Sequence, residues 1–115
     1  MPDSIDPHRR WEVRPTLRLR GIPVSEPPDQ ATRDVVADAL RQHPSVAFAV
    51  VGCVIGLHSV GITATILFAH PSTPGKAVDQ ATTMFARAAA DAGLTADMLV
   101  EVVAEPGGVD PRTLL

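Results

Sequence analysis

Two histidines are the side chains best suited to proton transfer or to holding a ligand. His58 lies within residues 56–61, which read as a turn, and His70 stands before Pro71 at the end of an apolar run. Imidazole changes charge near neutral pH and also binds metals. No C-x-x-C or H-x-x-x-H spacing accompanies either residue. We therefore expect His58 and His70 as ligand-binding candidates, with no metal site and no catalytic set.

Three arginines share one side of a segment with a two-residue period. Arg14, Arg18 and Arg20 alternate with apolar residues, which is typical of a half-buried strand. Glu101 and Glu105 would share their face if the last strand lies beside the first, and cross-strand ion pairs are then the favoured interpretation. The alternative is an anion site in which the guanidinium groups bind a carboxylate or a phosphate.

Other motifs that bind cofactors are incomplete. The run 70–76 lacks the first glycine of a P-loop and has Ala77 where Ser or Thr would bind magnesium. The glycines at 52, 56 and 61 are too widely spaced for a dinucleotide fingerprint. Cys53 stands in an apolar strand, which is more typical of a core residue than of a nucleophile. We expect no cofactor.

Elements that would position these residues alternate along the chain. Strands are predicted at 11–20, 46–55, 61–69 and 98–105. One helix is expected from an Asp29 N-cap to about His43, and a second from a Thr73 N-cap to Gly93. The order β-α-β-β-α-β predicts an α+β fold, the ferredoxin-like two-layer sandwich with a four-stranded antiparallel sheet and two helices on one face.

Size and composition limit what the chain can be. Its 115 residues fit one domain, predicted at 11–106 between flexible tails at 1–10 and 107–115. A net charge of −3 and only 3% aromatic residues argue against a nucleic-acid partner. One cysteine and an N-terminus without an apolar signal region suit a cytoplasmic protein.

The stretch 45–69 carries no formal charge and is long enough to be considered as a membrane span. Its many β-branched residues and the turn at 56–61 favour two paired strands instead. Insertion of residues 45–69 into a membrane stays as an alternative that we do not favour.

An exposed apolar sheet face predicts association. Helices would cover one face of the sheet, and the middle strands carry apolar residues towards both faces. We therefore expect a homodimer through the open sheet face. The favoured function is a non-enzymatic module that binds a partner protein or a small anionic ligand. The alternative is a small dimeric α/β-barrel enzyme whose cavity uses His58 and His70.

Overall fold

The computed structural model describes residues 9–107, in which four strands and two helices follow one another along the chain. They are β1 (Trp11–Leu19), α1 (Gln30–Arg41), β2 (Val46–Ile55), β3 (Val60–Phe68), α2 (Pro74–Asp91) and β4 (Ala96–Pro106). The predicted tails 1–10 and 107–115 lie mostly outside this range. In their described parts, the Ser72 N–H donates to the Arg9 carbonyl and the Gly107 N–H to the Arg10 carbonyl.

The four strands form one sheet in the order β2-β3-β1-β4, and each neighbouring pair is antiparallel. Both helices pack with one face of this sheet into a single apolar core. The predicted α+β class, with a four-stranded antiparallel sheet and two helices, is therefore confirmed.

Strand β1 occupies the middle of the sheet although it contains Pro15. A proline has no N–H to give to a ladder and is unusual in a central strand. The pairing with β3 is interrupted at Arg14 and Pro15, while the pairing with β4 continues through both. Thr63 Oγ1 donates to the Pro15 carbonyl at 3.2 Å across the gap. The sequence leaves two interpretations open, a pairing that starts near Thr16 or a bulge at Pro15. Pairing begins at Trp11, so the first of them is wrong.

Both helices begin where the sequence places an N-cap. The Asp29 carboxylate accepts from the Thr32 N–H at 2.8 Å, and the Thr73 hydroxyl accepts from the Lys76 N–H at 3.3 Å. These side chains satisfy N–H groups that the first helical turn leaves without a partner. Gly93, at φ +85, follows the last turn of α2 in the left-handed conformation that glycine adopts without strain.

The core lies between the helices and one set of alternating strand residues. Val13, Leu17, Ile62 and Ile66 of the central strands belong to one buried core with Phe85 of α2. The residues that α1 buries are Val36, Ala37 and Leu40. The helical spacing predicts a buried stripe on α1 made of Ala31, Val35, Val36, Ala39 and Leu40. Ala31, Val35 and Ala39 are exposed, so that part of the prediction is wrong.

The free edges of the two outer strands are interrupted in different ways. On β2, the Arg41 Nε donates to the Ala49 carbonyl at 2.9 Å, so a side chain occupies a backbone acceptor. On β4, the register with β1 shifts twice, between Thr16 and Leu17 and between Arg18 and Leu19. Such bulges twist an edge strand and break the regular row of backbone groups.

Candidate functional site

The sheet face turned away from the helices, called here the open face, holds most of the candidate residues. Alternation puts Arg14, Thr16 and Arg18 of β1 on this face, because the residues between them are buried. Thr63 and Thr65 of β3 lie beside them. Large apolar side chains are found along both outer strands of the face, namely Phe48, Val50, Val54, Met98 and Val100.

The bulges in β4 bring an aspartate to this face. Met98 pairs with Arg18 and Ala96 pairs with Leu19, so Asp97 between them has no partner in β1. A bulged residue leaves the regular alternation, and the Asp97 carboxylate reaches the guanidinium of Arg18. Val100 is skipped in the same way between the pairs that Leu99 and Glu101 form.

Arg18, Arg20 and Asp97 form what we call the Arg-Asp cluster. Arg18 donates to Asp97 Oδ2 through Nε at 3.0 Å and Nη2 at 2.5 Å, and Arg20 donates to Oδ1 at 3.0 Å. These hydrogen bonds, first from Arg18 and then from Arg20, hold the pKa of the Asp97 carboxyl below its ordinary 3.8. Two guanidinium groups share one carboxylate, so the cluster carries one net positive charge at neutral pH.

Arg14 is paired one to one. Its guanidinium donates to the Glu105 carboxylate on the neighbouring strand, with both side chains partly exposed. This is one of the cross-strand ion pairs expected from the sequence. Arg18 and Arg20 bind Asp97 instead of Glu101, which is exposed on β4. Exposed pairs of this kind add little to stability because water and salt screen them.

Beside the Arg-Asp cluster lies a groove of about 250 Å³ at the end of the open face, called here the end groove. Gly61 contributes to its floor, Val54 stands on one side, Met98 and Val100 on the other, and Arg18 lines it. A Cβ at Gly61 would come within 2.8 Å of the Leu17 carbonyl oxygen, so only glycine fits this close approach of β3 to β1.

The structure does not bring the two candidate histidines together. His58 is exposed in the hairpin turn before β3, and His70 is exposed just after β3 ends. A strand of this length separates its two ends by about 30 Å. Neither histidine lines the end groove, although Gly56 and Ser59 of the same hairpin do. Cys53 is partly buried and its Sγ donates to the Pro28 carbonyl at 3.4 Å.

A second and larger groove of about 630 Å³ runs between the two helices, on the other side of the molecule. Its apolar floor includes Leu40 and Met84, and its rim carries Lys76 and Arg87 together with Asp79 and Asp91. Opposite charges are present in equal number, so the rim shows no preference for an anion or a cation. None of the candidate histidines and arginines predicted from the sequence lines it.

Residues 9–107 contain no group of three or more histidine, cysteine or acidic side chains arranged to hold a metal ion. Residues 45–69 form β2, the hairpin and β3. Within the same described range, no helix has the length and apolar character needed to cross a membrane.

Sequence reasoning found the arginines of the open face but missed Asp97 and the end groove. The two-residue period predicted Met98, Val100, Val102 and Ala104 on one side of the last strand. Val102 and Ala104 do pack on the core, whereas Met98 and Val100 are 49% and 57% exposed and line the end groove. The bulges cause this change of side, and no residue type in the sequence marks where they occur.

Comparison with known proteins places no relative beside this chain. No protein-family model matches it, and no curated protein or solved structure matches it either.

Proposed function

We propose that the chain is a non-enzymatic binding module with the ferredoxin-like arrangement, and that it forms a homodimer through the open face. The strand order β2-β3-β1-β4 and the antiparallel pairing of every neighbour support the ferredoxin-like interpretation. The single cysteine favours a reducing compartment, and we propose the cytoplasm.

The observation that carries the proposal is the apolar character of the open face. Phe48, Val50 and Val54 on β2 are 49%, 40% and 44% exposed, and Met98 and Val100 are exposed on β4. Monomeric proteins rarely leave apolar patches of this kind in contact with water. A second copy of the chain would cover both outer strands at once.

The size of the face suits a second copy. Four strands about 4.8 Å apart and about nine residues long form a sheet face of roughly 600 Å², measured as a flat area without the added surface of the side chains. A standard protein interface buries about 800 Å² per partner. Because a two-fold dimer brings the same patch together from both copies, one self-complementary face is enough.

The charges in the middle of the face are compatible with burial because most of them are already paired. Arg14 binds Glu105, and Arg18 and Arg20 bind Asp97. Covering an ion pair costs far less than covering a lone charge. The open face therefore has a paired polar centre between two apolar strands, and a second copy packed on it could exclude water from the interface.

Sedimentation equilibrium tests the dimer. The wild-type chain is expected at twice the protomer mass at micromolar concentrations. Val50→Lys places two charges in the two-fold interface and is expected to weaken association at least tenfold, which corresponds to roughly 1.4 kcal/mol.

The matched control is Val35→Lys, which changes another exposed valine, 55% exposed against 40% for Val50, on α1 and away from the open face. It is expected to leave association unchanged, with circular dichroism confirming that both variants are folded. A wild-type protomer that remains monomeric at millimolar concentration would contradict the proposal, as would equal effects of the two substitutions.

A further inference from the structure

The end groove combines an arginine of the Arg-Asp cluster with apolar walls. Arg18 uses Nε and Nη2 on Asp97, and its Nη1 donates no hydrogen bond within the described residues. Arg20 donates to the same carboxylate, so Asp97 cannot neutralise both arginines. The Arg18 side chain is 43% exposed and can still be reached from the groove.

We propose that the end groove binds a small amphipathic monocarboxylate. The carboxylate accepts hydrogen bonds from Arg18, and the short apolar chain lies between Val54 on one side and Met98 and Val100 on the other. The proposal rests on the chain's being a binding module, and it adds the class of ligand.

Charge and size select this ligand over others. A monoanion matches the single net charge of the Arg-Asp cluster, whereas a phosphate brings more charge and more oxygen atoms than one arginine can satisfy beside apolar walls. A cation would be repelled. The volume of about 250 Å³ lies just below the roughly 300–1,000 Å³ of pockets for drug-sized ligands, which points to a small molecule.

Calorimetric titration with octanoate tests the proposal, with octylamine and acetate as comparison probes. Octanoate is expected to bind in the millimolar range or tighter, octylamine is expected not to bind, and acetate is expected to bind more weakly because it lacks the apolar chain. Amide chemical shifts are expected to move at Val54, Gly61 and Met98 during the titration with octanoate.

Two substitutions separate the contribution of the charge to octanoate binding from that of the apolar wall. Arg18→Gln is expected to weaken octanoate binding about tenfold or more, since it removes a charge-assisted hydrogen bond. Met98→Ala is expected to weaken octanoate about fourfold and to leave acetate unchanged. Arg87→Gln is the charge-matched control, because Arg87 lies on α2 outside the end groove, and it is expected to bind as the wild type does.

Absence of octanoate binding overturns the proposal, as does binding that Arg18→Gln leaves intact, octylamine binding of equal strength or shifts confined to the helices. Sedimentation of the same samples keeps the two proposals apart. Because Val54, Met98 and Val100 also belong to the face that a second copy covers, octanoate and the second copy compete for them, and the titration is repeated on the monomeric Val50→Lys variant. A folded Val50→Lys monomer that does not bind octanoate contradicts the ligand site alone, and a wild-type monomer that binds it through Arg18 contradicts the dimer alone.

Discussion

The two faces of one sheet follow the same alternation but meet different environments. On β3, Ile62, Ala64 and Ile66 are fully buried under the helices, while Thr63 and Thr65 between them face the other way and are only half-buried. The chain's own helices bury the helix-covered face. The open face has apolar outer strands and a paired polar centre, and it is the surface through which we propose contact with another molecule.

One alternating pattern thus produces two different surfaces, a face that is buried within the chain and a face that stays exposed. Period-two alternation determines which residues share a face. The chain's own helices then decide which face becomes the core. Substitutions on the two faces should therefore have different consequences, and the following experiments compare them directly.

Replacing one phenylalanine of the core and one of the open face gives the largest contrast. Phe85 is fully buried in α2, and Phe85→Ala is expected to lower the free energy of unfolding by about 3–5 kcal/mol through the cavity it leaves. Phe48 on the open face is 49% exposed. Phe48→Ala is expected to cost less than about 1 kcal/mol in dilute solution, where the protomer stands alone.

Urea unfolding at two protein concentrations measures both variants. If a second copy covers the open face, the cost of Phe48→Ala grows with concentration, whereas that of Phe85→Ala is dominated by the core at every concentration. Equal losses for the two variants in dilute solution would break the distinction between the faces.

Two glycines of the open face offer a narrower comparison. Gly61→Ala places a methyl group 2.8 Å from the Leu17 carbonyl oxygen and is expected to destabilise the fold by about 1–3 kcal/mol. Gly52→Ala on the neighbouring strand meets only a methyl carbon of Thr63 at 3.9 Å, and its effect is expected to stay within about 0.5 kcal/mol. Thermal unfolding of both variants checks this, and a Gly61→Ala variant as stable as Gly52→Ala would show that β1 and β3 can separate without cost.

Acid titration is expected to give the smallest effect and concerns the Arg-Asp cluster. The pKa of Asp97 is lowered on folding, so its contribution to stability is present above the ordinary value of 3.8 and is lost as the pH falls through the lowered pKa. Asp97→Asn should therefore make stability less dependent on pH as the pH falls from about 5 towards 2.

Carbon NMR of the carboxyl groups gives the titration midpoints directly. Joint replacement of Arg18 and Arg20 by glutamine is expected to raise the midpoint of Asp97 towards 3.8. Asp29 serves as the internal reference, since its pKa is lowered mainly by the Thr32 backbone N–H at the start of α1. A midpoint of Asp97 that does not move would show that the arginines are not the cause.

The sequence predicts the elements well because caps and periodicity are local signals. Asp29, Thr73 and Gly93 mark helix ends through their own backbone chemistry, and the alternation along β1 identifies its buried side. The buried stripe on α1 is harder to predict, because Val35 fits a helical period but is exposed in the structure. Which part of an amphipathic helix is buried depends on how it is rotated against its neighbours.

The candidate site was only half predictable for a related reason. Arg14 and Arg18 follow from the alternation along one strand. Asp97 and the end groove depend on two bulges, which arise where β4 must match the register of β1. A register shift is a property of two strands together, so residues 96–106 taken alone contain no sign of it.

The side chain of Arg41 has a consequence for the chain at high concentration. Because its Nε already binds the Ala49 carbonyl, β2 does not offer an open row of acceptors to an incoming segment, and the irregular β4 is a poor template on the opposite side. Edge-to-edge polymerisation into fibres is thereby discouraged at both margins of the sheet. Association through the open face, as proposed above, would by contrast close on itself as a two-fold dimer.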